Sequence, residues 1–222
     1  MSSSDHNRPD CPVGEHECQF IDEVVELRRS SDELEKLVHT DTLTGLYNYR
    51  HFSHAIEQEL ERTRRTGQPT CMILLDLDHF KRINDTWGHE AGNQVLRNCA
   101  DLMKQALRKI DIPCRYGGEE FAIILPGTHL PLAVAVANRL RDEIMVAPVE
   151  VDEGMIEYTA SMGVDTYVMG DVIGAEDFVK QVDEQLYRAK QEGRNRVCHR
   201  PFDHIRPDTE VSPDEKRALF DE

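Results

Sequence analysis

The 222-residue chain carries 42 acidic and 26 basic side chains, for a formal net charge of −16. Because like charges repel, this balance argues against a nucleic-acid partner and against binding to anionic membranes. No apolar run approaches the roughly 20 residues of a membrane helix, and the N-terminus has no apolar signal region. The six cysteines form no CxxC pair, and several lie in apolar runs. Together these features predict a cytoplasmic protein with free thiols.

The acidity is concentrated at the two ends of the chain. Residues 1–40 have a net charge of −6 and residues 201–222 one of −4, so the remaining 160 residues carry only −6. The acidic tail, residues 200–222, has too few apolar side chains to offset the entropy of ordering it. Disorder is therefore predicted for this tail and also for residues 1–17. The folded domain is expected over residues 41–199.

Residues 18–40 have apolar positions at alternating steps of four and three, which predicts an amphipathic helix. The apolar stripe consists of Phe20, Val24, Leu27, Leu34 and Val38. It spans about two and a half heptads, which is short for a coiled coil. Three interpretations stay open: the helix packs on its own domain, forms a parallel dimer stalk, or docks an activating partner protein.

Hydrophobic periodicity predicts alternating helices and strands in the rest of the chain. Helices are expected over 50–66, 90–110, 131–146 and 175–191, and strands over 71–77, 112–116, 120–125, 156–164 and 195–199. Gly117-Gly118, between two of these strands, is typical of a hairpin turn. The order of elements predicts an α/β sandwich, in which helices cover a mixed, mainly antiparallel sheet.

Carboxylates flank the expected contact between the first strand and the glycine hairpin. Asp76 and Asp78 close the first strand, and Glu119 and Glu120 leave the hairpin toward opposite faces. If the two strands pair, one carboxylate from each shares a face, where their repulsion favours a bound cation. Hard oxygen ligands favour Mg²⁺, and glycines let phosphates approach the backbone. The residues alone therefore indicate a metal-assisted nucleoside triphosphate site, with an exposed polar hairpin as the alternative.

Five segments, in order along the chain, resemble motifs of the GGDEF family, the diguanylate cyclases. They are DTLTGLYN at 41–48, DLDHFKRIND at 76–85, GHEAGN at 88–93, RYGGEEF at 115–121 and AKQEGRN at 189–195. The resemblance covers residues 41–199 and implies a catalytic domain with a nucleotidyl-cyclase or polymerase-palm-like fold. It also implies the reaction: two GTP molecules, held by two facing domains of a homodimer, are joined into cyclic di-GMP with release of two pyrophosphates.

The resemblance assigns roles residue by residue. Asp76, Glu119, Glu120 and the carbonyl of Leu77 are expected to hold two Mg²⁺ ions, for which Mn²⁺ can substitute. Glu119 is also expected to act as general base toward the 3′-hydroxyl, assisted by Glu120, although a metal-bound carboxylate is a weak base. The groups expected to bind GTP are the backbone of Gly117 and Gly118, the cations Lys81, Lys190 and Arg194, the guanine-reading Asn84 and Asn93, and the positioning residue His89.

Two positions depart from the family pattern. Asn93 stands where GGDEF domains usually carry Asp, so an acceptor remains but the charge and the second carboxylate oxygen are lost. This predicts weaker guanine selectivity or affinity. Tyr49 stands where a basic residue is more usual, a difference that concerns packing.

Arg108 and Asp111 form an RxxD motif shortly before Gly117, and it resembles the site at which family members bind their product as an inhibitor. The arginine fork suits guanine or phosphate, and the carboxylate accepts from guanine. Arg139 resembles the secondary arginine that a neighbouring domain supplies. The alternative function is that of an inactive GGDEF domain acting as a cyclic di-GMP receptor, which the presence of all three site carboxylates disfavours.

Overall fold

A computed structural model describes residue 20 and residues 23–29, 39–152 and 154–202. Residues 1–17, most of the expected 18–40 helix and residues 203–222 lie outside these ranges. Residues 23–29 are helical, and the apolar side chains of Phe20 and Leu27 nearby are exposed. Within the described ranges, no helix is both long enough and apolar enough to cross a membrane.

From residue 49 onward, four helices and seven strands alternate in the described part of the chain. They are α1 Tyr49–Thr66, β1 Thr70–Leu77, α2 Phe80–Ala106, β2 Ile112–Arg115, β3 Glu120–Leu125, α3 Leu130–Met145, β4 Val149–Val151, β5 Gly154–Ile156, β6 Ala160–Tyr167, α4 Ala175–Gln191 and β7 Val197–His199. Capping residues define the first helix: the Asn48 side chain accepts from His51 N–H, and Gly67 ends the helix in a left-handed conformation.

The main sheet has the strand order β2-β3-β1-β6-β7. The first three contacts in that order are antiparallel and β6–β7 is parallel, which confirms the predicted mixed, mainly antiparallel sheet. Strand β1 lies at the centre, and all eight of its residues are buried. Packing on both faces therefore holds the carboxyl end of β1 in place beside the glycine hairpin.

Helices cover both faces of the sheet, as the sequence predicted. Alternate residues of β1 serve the two sides: Ile73 and Leu75 belong to the core shared with α2 and α3, whereas Met72 and Leu74 belong to the core shared with α1 and α4. Gly163 of β6 is required for the second layer, since a Cβ there would lie 2.3 Å from the backbone nitrogen of Leu186 in α4. This close approach brings the end of α4 to the edge of the site.

Two of the expected element boundaries are wrong. Helix α2 begins at Phe80 rather than at 90, because the left-handed Gly88 (φ 84°) kinks the helix without ending it. The strand expected over 156–164 is two strands, β5 and β6, and the short β4–β5 hairpin was missed. Three-residue strands carry too little periodicity to be predicted from sequence.

Candidate active site

Strand β1 pairs with strand β3 of the glycine hairpin, as the sequence predicted. In the β1–β3 register Asp76 lies opposite Glu120, and the N–H of Leu77 donates to the carbonyl of Glu119 at 3.3 Å. Directly opposed residues of antiparallel strands project from the same face. Asp76 and Glu120 therefore share a face of the sheet, the face covered by α1 and α4.

Lys190, at the end of α4, is the closest described counter-charge to the carboxylates. Its Nζ lies 2.8 Å from Asp76 Oδ2, and the Asp76 side chain is only 12% exposed. Burial raises the pKa of Asp76, and so does the neighbouring Asp78, while Lys190 and Arg194 oppose the rise. The site thus holds a carboxylate at the end of the central strand β1 whose charge is partly neutralised by Lys190.

The charges of Asp76 and Lys190 also act on Glu119. Burial raises the pKa of Glu119, the charges of Asp76 and Glu120 raise it further, and Lys190 acts in the opposite direction. Carboxylates that raise one another's pKa favour a cation or a proton nearby. The arrangement is able both to attract a metal ion and to accept a proton.

Arg194 does not share a helix face with Lys190, although a spacing of four residues would place the two side by side on a continuous helix. Helix α4 ends at Gln191, and Arg194 sits in the following turn with a left-handed φ of 60°. Its backbone N–H donates to the Ala189 carbonyl at 3.0 Å, and its charge is still felt by Asp76. The turn, not the helix, therefore brings this guanidinium to the site.

Packing requires a glycine at one of the two hairpin positions but not at the other. A Cβ on Gly117 would lie 2.6 Å from Glu120 Oε2, so this glycine makes room for the carboxylate. A Cβ on Gly118 would meet open space, so packing does not require a glycine there. Close approach of a ligand to the backbone is a reason for glycine at such a position.

Arg115 connects the hairpin to the start of the domain, a link that sequence reasoning missed. Its guanidinium donates to the Gly118 carbonyl at 2.8 and 3.2 Å and to the carboxylate of Asp41 at 3.1 and 3.2 Å. Asp41 also accepts from the backbone and the hydroxyl of Thr44. The pKa of Asp41 is raised by burial, but these donors outweigh burial and leave it lowered. The only sequence signal was the presence of both residues in family-like motifs.

The residues expected to read guanine lie around the kink of α2. A Cβ on Gly92 would lie 1.9 Å from Asn84 Oδ1, so the Asn84 side chain crosses the backbone just before Asn93. Asn93 donates from Nδ2 to Glu90 Oε2 at 3.2 Å. His89, beside the kink, is exposed, as is Lys81 in the first turn of α2. The Asn84 side chain therefore lies beside the residue that precedes Asn93.

Asp78 has a structural role, in contrast to Asp76. Its carboxylate accepts from the hydroxyls of Thr159 and Ser161 at 2.7 Å and from the N–H of Asn195 at 3.0 Å. It therefore joins β1 to the start of β6 and to the turn before β7.

The RxxD segment follows α2 on another part of the domain. Asp111 Oδ2 accepts from the N–H of Arg108 at 2.8 Å, while Asp111 Oδ1 is buried without a hydrogen-bond partner. Arg139 on α3 donates to the carbonyl of Ala106, which lies two residues before Arg108. Arg139 of the same chain therefore lies beside the end of α2, which is close in sequence to the RxxD segment.

The donor set suits a divalent cation in its chemistry. Asp76, Glu119, Glu120 and the Leu77 carbonyl offer hard oxygens, and the pKa values of Asp76 and Glu119 are raised first by burial and then by their acidic neighbours. Within the described ranges, no three acidic, histidine or cysteine side chains already converge as a metal site.

The fold is an α/β sandwich of the palm-like class, with acids and a glycine hairpin at the carboxyl end of its central strand. Residues 38–196 match the family described as "Diguanylate cyclase, GGDEF domain", and the chain belongs to this family. The response regulator PleD of Caulobacter vibrioides is 41% identical over 173 residues, which cover 77% of this chain and 38% of PleD. This chain therefore spans well under half of that relative.

Two solved structures are similar. One contains the coiled coil and GGDEF domain of DgcB from Caulobacter crescentus with c-di-GMP (TM-score 0.75, 29% identity, 81% of this chain and 94% of that one). The other is the diguanylate cyclase SiaD from Pseudomonas aeruginosa with its activator SiaC (TM-score 0.72, 36% identity, 82% of this chain and 70% of that one).

Proposed function

We propose that this protein is a diguanylate cyclase that joins two GTP molecules into cyclic di-GMP and releases two pyrophosphates. The observation that carries the proposal is the pairing of Asp76 with Glu120 beside Glu119 and the glycine hairpin. Membership of the GGDEF family supports the same activity. The reaction takes place in the cytoplasm, where the nucleotide is available.

Mg²⁺ is the proposed cofactor, with Mn²⁺ as a substitute and two ions for each site. Asp76, Glu119, Glu120 and the carbonyl of Leu77 would hold it through their oxygens. When bound, the ions supply charge neutralisation on the triphosphate and polarise the reacting phosphate. The burial of Asp76 and Glu119 beside other carboxylates, which raises the pKa of both, supports this assignment.

The remaining site residues hold GTP. The backbone of Gly117 and Gly118 lets the phosphates approach, and Lys81, Lys190 and Arg194 neutralise them. Since Lys190 already lies 2.8 Å from Asp76, it is within reach of a nucleotide there. The guanine edge is read by Asn84 and Asn93, with His89 positioning this loop.

Catalysis requires two domains that face each other. The 3′-hydroxyl of each GTP attacks the α-phosphorus of the other, one P–O bond forms, and the bond to pyrophosphate breaks. Glu119, whose pKa is raised by burial and by its acidic neighbours, takes the hydroxyl proton. Holding the two nucleotides in line provides a large part of the acceleration.

Product inhibition is proposed at the RxxD segment. Arg108 donates to the guanine or phosphate of cyclic di-GMP, and the carboxylate of Asp111 accepts from guanine. Arg139 completes the site, supplied by a neighbouring domain. The complex of DgcB with c-di-GMP supports product binding by a relative of this fold.

The segment 18–40 is proposed to form the dimer stalk, and a separate activating protein stabilises its productive register. The exposed apolar side chains of Phe20 and Leu27 support a partner for this segment. The complex of SiaD with its activator SiaC supports protein-mediated control of a relative.

Incubation with GTP and Mg²⁺, followed by mass identification of the product, tests the activity. The full chain should yield cyclic di-GMP and pyrophosphate, Glu119→Gln should reduce turnover by about 1000-fold or more, and Glu184→Gln, at an exposed position on α4, should retain it. A wild-type chain that binds cyclic di-GMP but forms none at high protein concentration would contradict the proposal.

A further inference from the structure

Glu90, on α2, lies between two hydrogen-bond donors. Its Oε2 accepts from Asn93 Nδ2 at 3.2 Å, and its Oε1 accepts from Arg97 Nη1 at 2.9 Å. The pKa of Glu90 is lowered below its usual range, mainly by the hydrogen bond from Arg97 and to a smaller extent by that from Asn93. Glu90 is therefore an ionised carboxylate at neutral pH.

An ionised carboxylate only accepts hydrogen bonds, so Glu90 determines which way the Asn93 amide faces. The amide nitrogen must point at Glu90, and the carbonyl oxygen Oδ1 then projects from the other side of the amide. No hydrogen bond among the described residues engages this oxygen. Without such a neighbour, an asparagine amide is free to rotate by half a turn and exchange its donor and acceptor.

The two faces of the amide suit different bases. Guanine offers donors at N1–H and at its 2-amino group, which require an acceptor. Adenine offers an acceptor at N1, which requires a donor. The usual Asp at this position presents acceptors in either orientation, whereas Asn93 does so only while its amide is held in place.

We infer that Glu90 is a positioning residue that makes Asn93 select guanine over adenine, an inference that rests on the proposed function. Asn84 supports it, because its side chain crosses Gly92, immediately before Asn93, and so lies at the same base-reading position. Position 93 lacks a carboxylate, but the carboxylate of Glu90, one helical turn earlier, holds the Asn93 amide so that its oxygen faces guanine.

Binding of nucleoside diphosphates tests this inference without turnover. The full chain is titrated with GDP and with ADP against a fluorescent GDP analogue. Wild type should prefer GDP. In Glu90→Gln and Glu90→Ala the ratio of the ADP to the GDP dissociation constant should fall about tenfold, which corresponds to about 1.4 kcal/mol. Arg97→Gln, which removes the other partner of Glu90 but leaves the Asn93 contact, should preserve the ratio.

The same substitutions in an Asn93→Asp background separate positioning from a structural role. An aspartate at this position needs no orientation, and the carboxylate of Glu90 repels it, so Glu90→Gln should then leave GDP binding unchanged or improve it. An equal loss in both backgrounds would overturn the inference. So would an unchanged GDP preference in Glu90→Gln, while a wild type that binds neither GDP nor GTP would overturn the proposed function itself.

Discussion

The ammonium of Lys190 lies 2.8 Å from the carboxylate of Asp76. This ion pair joins the end of α4 to the end of the central strand β1, and it lies where family-like motifs from two distant parts of the chain meet. The Asp76 side chain is 12% exposed and that of Lys190 31%, so Asp76 is poorly hydrated and Lys190 is its nearest counter-charge.

Lys190→Ala should weaken GTP binding by about tenfold and lower the free energy of unfolding by about 1–2 kcal/mol. The stability decreases because Asp76 is left without its nearest counter-charge in a partly buried position. Nucleotide titration and urea unfolding measure the two effects. Lys180→Ala is the matched control, because Lys180 lies on the same helix with its side chain 70% exposed. If the two variants had the same GTP affinity and the same free energy of unfolding, the ion pair would contribute to neither.

Gly92→Ala should weaken GTP binding about tenfold. A Cβ at this position would lie 1.9 Å from Asn84 Oδ1 and must displace that side chain, whereas alanine by itself favours a helix. Titration with GTP and a thermal melt separate the two effects. Gly174→Ala introduces the same methyl group into open space and should bind normally. Normal affinity in Gly92→Ala would exclude Asn84 from the base-reading group.

Arg115→Lys should lower the melting temperature by about 2–4 °C and reduce cyclase turnover more than GTP affinity. A lysine ammonium is unable to bridge the Asp41 carboxylate and the Gly118 carbonyl with the geometry of the guanidinium. Thermal melts and initial rates measure the outcome, with the exposed Arg65→Lys as control.

The same contact predicts a pH dependence. The pKa of Asp41 is lowered on folding from 3.8, so its stabilising contribution is present above that pH and is lost as the pH falls through the lower folded value. In Arg115→Lys the folded pKa of Asp41 should lie closer to 3.8, so less stability should be lost as the pH falls through this range. Acid unfolding profiles that superimpose on wild type would contradict this assignment.

Arg108→Ala should leave initial turnover intact and relieve inhibition by added cyclic di-GMP. The guanidinium supplies the donors of the proposed product site, while Asp111 would keep its accepting oxygen. Rates at increasing cyclic di-GMP give the inhibition constant, which should rise at least about tenfold. Lys109→Ala, at the adjacent exposed position, is the control. Unchanged inhibition would remove the RxxD segment from the proposal.

Deleting residues 1–38 should abolish most of the activity while leaving GTP binding intact. Two half-sites must face each other for the reaction, and the deleted segment contains the proposed dimer stalk. Activity and molar mass measured at several protein concentrations report whether dimerisation has been lost. Full activity at low concentration would show that the segment is dispensable.

The local elements and the donor set were predictable from the sequence. The apolar residues 71–75 indicated a buried strand, and Gly117-Gly118 indicated a turn, because both signals arise from neighbouring residues. The helix across Gly88 was misjudged, since a glycine kink and a helix end look alike in sequence until packing decides between them.

The sequence by itself determined which acids, glycines and cations are available and in which order they occur. Only the tertiary structure decided which of them meet: the register that sets Asp76 opposite Glu120, the turn that brings Arg194 back, and the contact of Glu90 with Asn93. The physical reason is that strand register and helix placement follow from packing both faces of the sheet at once. That condition involves residues far apart in the chain, and no local pattern encodes it.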